Sequence, residues 1–203
     1  MIYWNGLETQ QILKKILQED EVILASGDTV LGLWGRVNRS VYEKLNTIKN
    51  RQDKPYLIVI GSIDKLSLFT DQMLSEQLQN LVESCWPGPV TLIFKARPDL
   101  PDWIKGSDET VAIRIPDHQG LLQLLKDSNA LFSTSANIHS KPIPESVSAV
   151  DQTILEQVSA VCTQEGQFVY PQIPSTVLNI STGAIKLVRE GAVDIELLKD
   201  IIG

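Results

Sequence analysis

Cysteine and histidine are scarce in this sequence, with two of each among 203 residues. Cys85 and Cys162 lie far apart, so they form no disulfide framework, and no close-spaced Cys or His pair suggests a metal centre. Both cysteines read as buried small hydrophobes, which fits a cytoplasmic address. No apolar run approaches the roughly 20 residues that span a bilayer, so no membrane is expected among the partners. The N-terminus, Met1-Ile2-Tyr3-Trp4-Asn5-Gly6, has neither a basic nor an apolar signal region. Positive charge is in deficit, at a net −7, which excludes a protein that coats nucleic acid non-specifically but leaves room for a local basic pocket.

Familiar catalytic signatures are missing as well. There is no G-x-x-x-x-G-K-[ST], no G-x-G-x-x-G and no G-x-S-x-G. Neither His118 nor His139 has the spacing of a triad, and each reads as a surface or structural residue. No repeat, low-complexity tract or linker divides the chain, and its length suits one domain, residues 1–203, with a core that needs no staples.

What the sequence has is an alternation of two periods. Helical spacing marks 7–19, 40–49, 71–85, 121–125, 151–161 and 194–202, with Ser40 as the cap of the second. Strand-like runs lie at 22–25, 30–34, 56–60, 90–94, 111–115 and 130–133, and a hairpin at 177–188 turns through Ser181-Thr182-Gly183-Ala184. Trp86-Pro87-Gly88-Pro89 stops the third helix, since proline cannot continue helical hydrogen bonding. The class is mixed α/β, with a sheet less regular than a doubly wound one.

Four polar segments and a fifth pair fall at strand ends and in loops. Ser26-Gly27-Asp28-Thr29 fits either a turn or a close approach of backbone to a ligand. Lys49-Asn50-Arg51-Gln52-Asp53-Lys54 places three cations at a helix C-terminus. They suit the helix dipole, or a phosphate that arginine grips bidentately and lysine attracts as a point charge. In Thr110-Val111-Ala112-Ile113-Arg114-Ile115, alternation sets Arg114 opposite three apolar residues; buried there, it needs either a carboxylate ligand or an internal acid. Ser133-Thr134-Ser135-Ala136-Asn137 offers a hydrogen-bonding rim at a strand end. Pro174-Ser175-Thr176-Val177 and Val188-Arg189-Glu190-Gly191 complete the set.

In order and spacing these segments, with Lys54-Pro55 and Trp86-Pro87-Gly88-Pro89-Val90-Thr91, resemble the YrdC-type family over residues 8–191. The resemblance implies a YrdC-like open twisted mixed sheet with flanking helices and a basic concave cleft. It implies a short-form enzyme making threonylcarbamoyl-AMP and pyrophosphate from ATP, bicarbonate and L-threonine, with Mg²⁺, for modification of tRNA adenosine 37. By the resemblance, Lys49, Arg51 and Lys54 bind the triphosphate, and Thr110, Ser135, Asn137 and Arg189 hold other parts of the nucleotide. Thr29, Arg114, Ser133 and Ser175 bind threonine, Arg114 through its carboxylate, and Lys49, Arg51 and Arg114 carry catalysis by charge and alignment. Partner proteins that use the product, and weak binding of tRNA or double-stranded RNA, are implied too. The rival readings are a YrdC-like RNA-binding protein and a paralogue that carbamoylates another acceptor. Ser26, Gly27, Gln52, Val59 and Asn179 depart from the family pattern; the departures spare the phosphate and carboxylate anchors and fall on the threonine side-chain pocket.

Overall fold

A computed structural model describes residues 1–51, 54–166 and 169–198. The strands are β1 (Ile2–Tyr3), β2 (Ile23–Ala25), β3 (Gly32–Arg36), β4 (Leu57–Val59), β5 (Val90–Lys95), β6 (Thr110–Arg114), β7 (Leu131–Ser135), β8 (Ala160–Thr163), β9 (Thr176–Asn179) and β10 (Lys186–Arg189). They form one open sheet in the order β1-β8-β2-β3-β7-β4-β6-β5-β9-β10. Its pairings are mixed: β4 runs parallel to β6 and β5 to β9, whereas β3 and β4 both lie antiparallel to β7.

The helices are α1 (Leu7–Gln18), α2 (Arg39–Lys49), α3 (Glu76–Cys85), α4 (Gln119–Asp127) and the single turn α5 (Gln152–Leu155). They divide the core into two layers. Leu13 and Leu17 of α1 pack with Leu121, Leu124 and Leu125 of α4 against Ile23, Val59, Leu131 and Cys162. The larger layer sets Val41, Leu45 and Ile48 of α2 and Leu78, Leu81 and Val82 of α3 against Leu33, Ile58, Phe94, Ile113 and Phe132. Stripes at i, i+3 and i+4 make this possible, because those positions share one helix face.

Several expected boundaries shift for visible reasons. Asn38, not Ser40, caps α2, its Oδ1 accepting from the amide of Val41 at 2.9 Å. The helix expected from residue 71 starts at Glu76, where the Ser75 hydroxyl takes the Leu78 amide. Residues 151–161 give only one helical turn and then β8, since Val161 and Cys162 pair in parallel with Leu24 and Ala25 of β2, and tertiary pairing overrides helical spacing. Residues 30–31 precede β3 rather than joining it. At the C-terminal end a 3₁₀ turn covers Ile195–Leu198, and the rest of the expected helix, 199–202, lies outside the described residues. Cys85 and Cys162 are buried and free, as expected, and burial raises their thiol pKa values to about 11 and about 12.

The α2 terminus places the first site residues. Asn50 takes the left-handed conformation (φ 47°), with its amide bonded to the Thr47 carbonyl and that of Arg51 to the Asn46 carbonyl. This closure ends the helix at Lys49 and turns the chain before Arg51. Gly191 secures the other side of the cleft: a Cβ there would fall on the backbone of Pro174, Ser175 and Thr176. Backbone cannot swing aside as a side chain can, so Gly191→Ala should destabilise the protein by about 1–3 kcal/mol, read as a lowered urea midpoint. An unchanged midpoint contradicts this account of the β9 start.

Candidate active site

On the α1–α4 face the two helices leave part of the sheet uncovered, and a cleft of ≈280 Å³ opens there. Its walls include Lys49, Arg51, Arg114 and Arg189, the hydroxyls of Thr29, Ser133, Ser135 and Ser175, and Asn137. Among the described residues, no aspartate or glutamate lines it. A chain of net charge −7 thus encloses a concentrated positive field, and low-dielectric walls focus such a field on an anion.

One end is built by α2 and the strand end of β7. Lys49 is 3% exposed. Its Nζ donates to the Ser135 carbonyl at 2.6 Å and to Asn137 Oδ1 at 2.9 Å, and the Ser135 hydroxyl donates to the same Oδ1 at 2.6 Å. Asn137 Nδ2 donates in turn to the Lys141 carbonyl. Burial, and then the neighbouring charge of Arg51, lower the Lys49 ammonium to about 8. The Arg51 guanidinium lies 4.2 Å over the Tyr56 ring and donates through Nη2 to the carbonyls of Lys54 and Pro55. Its buried Nε has no hydrogen-bond partner among the described residues.

The other end is built by β6, β9 and the segment after β2. Arg114 and Asp28 form a buried pair, Nη2 to Oδ1 at 3.0 Å and Nη1 to Oδ2 at 3.4 Å, with side chains 2% and 8% exposed. The Asp117 amide also donates to Asp28 Oδ2, at 2.9 Å. Of the two possibilities left open by the sequence, Arg114 therefore has an internal acid; yet its buried Nε has no hydrogen-bond partner among the described residues. Asp28 occupies the two terminal nitrogens, and the Nε edge is left for a second acceptor. Burial still depresses the Arg114 pKa, against the pull of Asp28. Arg189 donates to the Ser175 carbonyl at 2.8 Å, and its pKa is lowered by burial and by the charge of Arg114. The Ser175 hydroxyl is fixed by Thr91 at 2.7 Å. Two desolvated arginines that repel each other are the arrangement an anion stabilises.

Nine of the eleven residues expected at the site converge here: Thr29, Lys49, Arg51, Arg114, Ser133, Ser135, Asn137, Ser175 and Arg189. Lys54 and Thr110 do not line this cleft. They border an adjoining groove of ≈790 Å³ that shares Pro55, Tyr56 and Leu57 with it. Among the departures, Val59 is fully buried in the α1–α4 layer and does not line the cleft, and Asn179 braces the β9–β10 hairpin by accepting from Ser181. Gln52 lies outside the described residues. No motif pointed to His139 on the rim, where its amide donates to the Lys49 carbonyl; His118 is structural, capping α4 through Nδ1. Trp34 and the role of Asp28 were also missed, although Asp28 stands inside the first quoted segment.

The fold and the cleft define a class, an open mixed α/β sheet that carries a cation-walled cleft. Within that class the chain belongs to the Sua5/YciO/YrdC family, whose model, described as Telomere recombination, matches residues 15–191. It is 30% identical over 186 residues to a threonylcarbamoyl-AMP synthase of Pseudomonas fluorescens, covering 89% of this chain and 97% of that protein. A Bacillus subtilis threonylcarbamoyl-AMP synthase is 31% identical over 192 residues, 93% of this chain but 55% of that protein. Sua5 of Pyrococcus abyssi, in a crystal structure with L-threonine, superposes with a TM-score of 0.86 at 25% identity, over 100% of this chain and 60% of its own. The chain thus spans little more than half of the longer relatives.

The buried pair makes a stability prediction. Removing one partner strands the other charge away from water. Asp28→Ala should therefore cost about 3–5 kcal/mol in chemical denaturation, and Asp28→Asn, which also removes the charge and keeps only one acceptor oxygen for Arg114 and the Asp117 amide, should recover only part of that loss. A loss near zero for either variant contradicts the pairing.

Proposed function

We propose that this chain carries threonylcarbamoyl-AMP synthase activity, acting on ATP, bicarbonate and L-threonine. The observation that carries the reading is one cleft with two anion anchors, Lys49 and Arg51 at one end and the half-occupied Arg114 guanidinium at the other. Its support from relatives is the activity for which the Pseudomonas and Bacillus proteins are named and the threonine bound by P. abyssi Sua5.

In this reading the triphosphate meets Lys49 and Arg51, with Ser135, Asn137 and Arg189 holding further parts of the nucleotide. Lys54 and Thr110 contribute from the adjoining groove, the direction left for an extended nucleotide. The threonine carboxylate takes the free Arg114 Nε, and Thr29, Ser133 and Ser175 surround the amino acid. The amine adds to the bicarbonate carbon and water is lost, giving a carbamate. A carbamate oxygen then attacks the α-phosphorus, the bond to the β-phosphate breaks and pyrophosphate leaves. No side chain need become covalently attached. Holding the two anions in line and offsetting their charge is the work, and alignment of this kind supplies up to about 7–11 kcal/mol. Lys49, Arg51 and Arg114 are the residues whose charges act on the reacting groups.

Mg²⁺ finds no carboxylate among the described residues that line the cleft, and the described residues contain no cluster of three acidic, His or Cys side chains that could hold a metal. The described residues form no site for it; phosphate oxygens would have to carry it. With this reading go a cytoplasmic address and partner proteins that transfer the product to tRNA. No helix among the described residues is long and apolar enough to cross a membrane. A duplex-RNA reading fits less well, since the four cations converge in a cleft of ≈280 Å³ that no duplex can enter.

The decisive assay is pyrophosphate release from ATP with threonine and bicarbonate each omitted in turn. Release should need both, and serine should substitute poorly. Turnover without threonine points to another acceptor and contradicts the proposal. The pKa of Lys49 gives a second expectation. Its ammonium is lost as pH rises through about 8, and a triphosphate must then restore the proton to bind well. ATP affinity should fall by up to tenfold per pH unit above about pH 8, with proton uptake in calorimetry, and Lys49→Gln should flatten the profile. A wild-type affinity constant between about pH 7 and 9 contradicts this role.

A further inference from the structure

Resting on the threonine reading above, we propose that Trp34 is the specificity wall of the amino-acid subsite and sets the largest side chain the cleft accepts. Trp34 lines the cleft although it is only 2% exposed. Its indole cannot swing away. Nε1 donates to the Ala25 carbonyl at 3.1 Å. A Cβ on Gly32 would meet the ring at 2.9 Å, and one on Gly27 would meet it at 3.3 Å and Leu121 at 3.2 Å. Both glycines are thus the space that the indole fills. Gly27, a departure from the family pattern, acquires a reason within this chain.

The register places this wall beside the amino acid rather than the phosphates. Trp34 pairs directly with Ser133, and Ser133 pairs with Leu57 on the far side, so the three side chains form one row on one sheet face. Val59 pairs with Leu131 and with Arg114, which puts Arg114 in the next row of that face. Rows two residues apart are about 7 Å apart along the strands, within reach of the long Arg114 side chain. A carboxylate on Arg114 therefore directs its side chain to a hydroxyl flanked by two apolar walls. That pattern matches a β-carbon carrying one hydroxyl and one methyl. Leu57 is a flexible wall; Trp34, tethered and wedged, is the rigid one that can exclude bulk.

The test compares kcat/KM for threonine and isoleucine, both β-branched, by pyrophosphate release. Wild type should prefer threonine. In Trp34→Ala the threonine-to-isoleucine ratio should fall about ten- to a hundredfold, the discrimination a pocket wall of this kind supplies. Trp34→Leu should shift the ratio the same way by less, and it serves if the alanine variant does not fold. A role in stability alone lowers the melting temperature without moving the ratio. A folded variant with the wild-type ratio, or a wild type that uses isoleucine as well as threonine, overturns the assignment of Trp34 alone. Absence of any threonine-dependent release by wild type overturns instead the reading on which it rests.

Discussion

A guanidinium taken almost wholly out of water must find an acid, and Arg114 finds Asp28. This pair ties the segment leaving β2 to the end of β6, and the Asp117 amide locks the same carboxylate from a third direction. The chain between Ala25 and Gly32 is therefore held against the sheet, and with it Thr29 and the glycine that admits Trp34. Pairing also tunes the charge. Asp28 neutralises enough of Arg114 for the arginine to be buried, yet leaves Nε without an acceptor. Arg189, desolvated and repelled by Arg114, and Lys49, depressed to about 8, are held by neutral acceptors instead of an acid. Burial and mutual repulsion of these cations favour the binding of anions in the cleft.

Much of the fold could be read from periodicity, because two helix–sheet layers impose their own spacing. The α1 stripe buries Leu13 and Leu17 as expected, and the apolar run at 56–60 becomes β4, paired on both sides. The misreadings fall where a partner distant in sequence decides the matter. Residues 160–161 carry a spacing compatible with a helix, and pairing with β2 makes them a strand. Ile2 and Tyr3 carry too short a pattern to register, and β8 recruits them. Ser40 and Asn38 are both good caps; the register of the helix on the sheet selects Asn38.

The site was legible in a different way. Single segments were ambiguous, whereas their order pointed to a family and placed nine side chains that the structure brings into one cleft. Charge alone could not have done so, since a net of −7 hides four converging cations. What stayed hidden depends on contact. The choice of Asp28 as the partner of Arg114 spans 86 residues. Val59 looked like a change in the amino-acid pocket, but it lies one row beyond Leu57 on the same face, where α4 covers the sheet. Trp34 carried no motif at all; its place beside Ser133 follows only from the β3–β7 register.

The central claim is that Arg114 uses two nitrogens for the fold and its remaining edge for a substrate carboxylate. Calorimetry on Arg114→Lys, with thermal stability recorded on the same samples, tests it most directly. An ammonium can stay near Asp28 but cannot also present the planar second edge. The account predicts a threonine affinity lowered roughly ten- to a hundredfold, the value of a lost charge-assisted hydrogen bond, beside an ATP affinity close to wild type. Equal weakening of both ligands in step with lost stability, or threonine binding left intact, would contradict it.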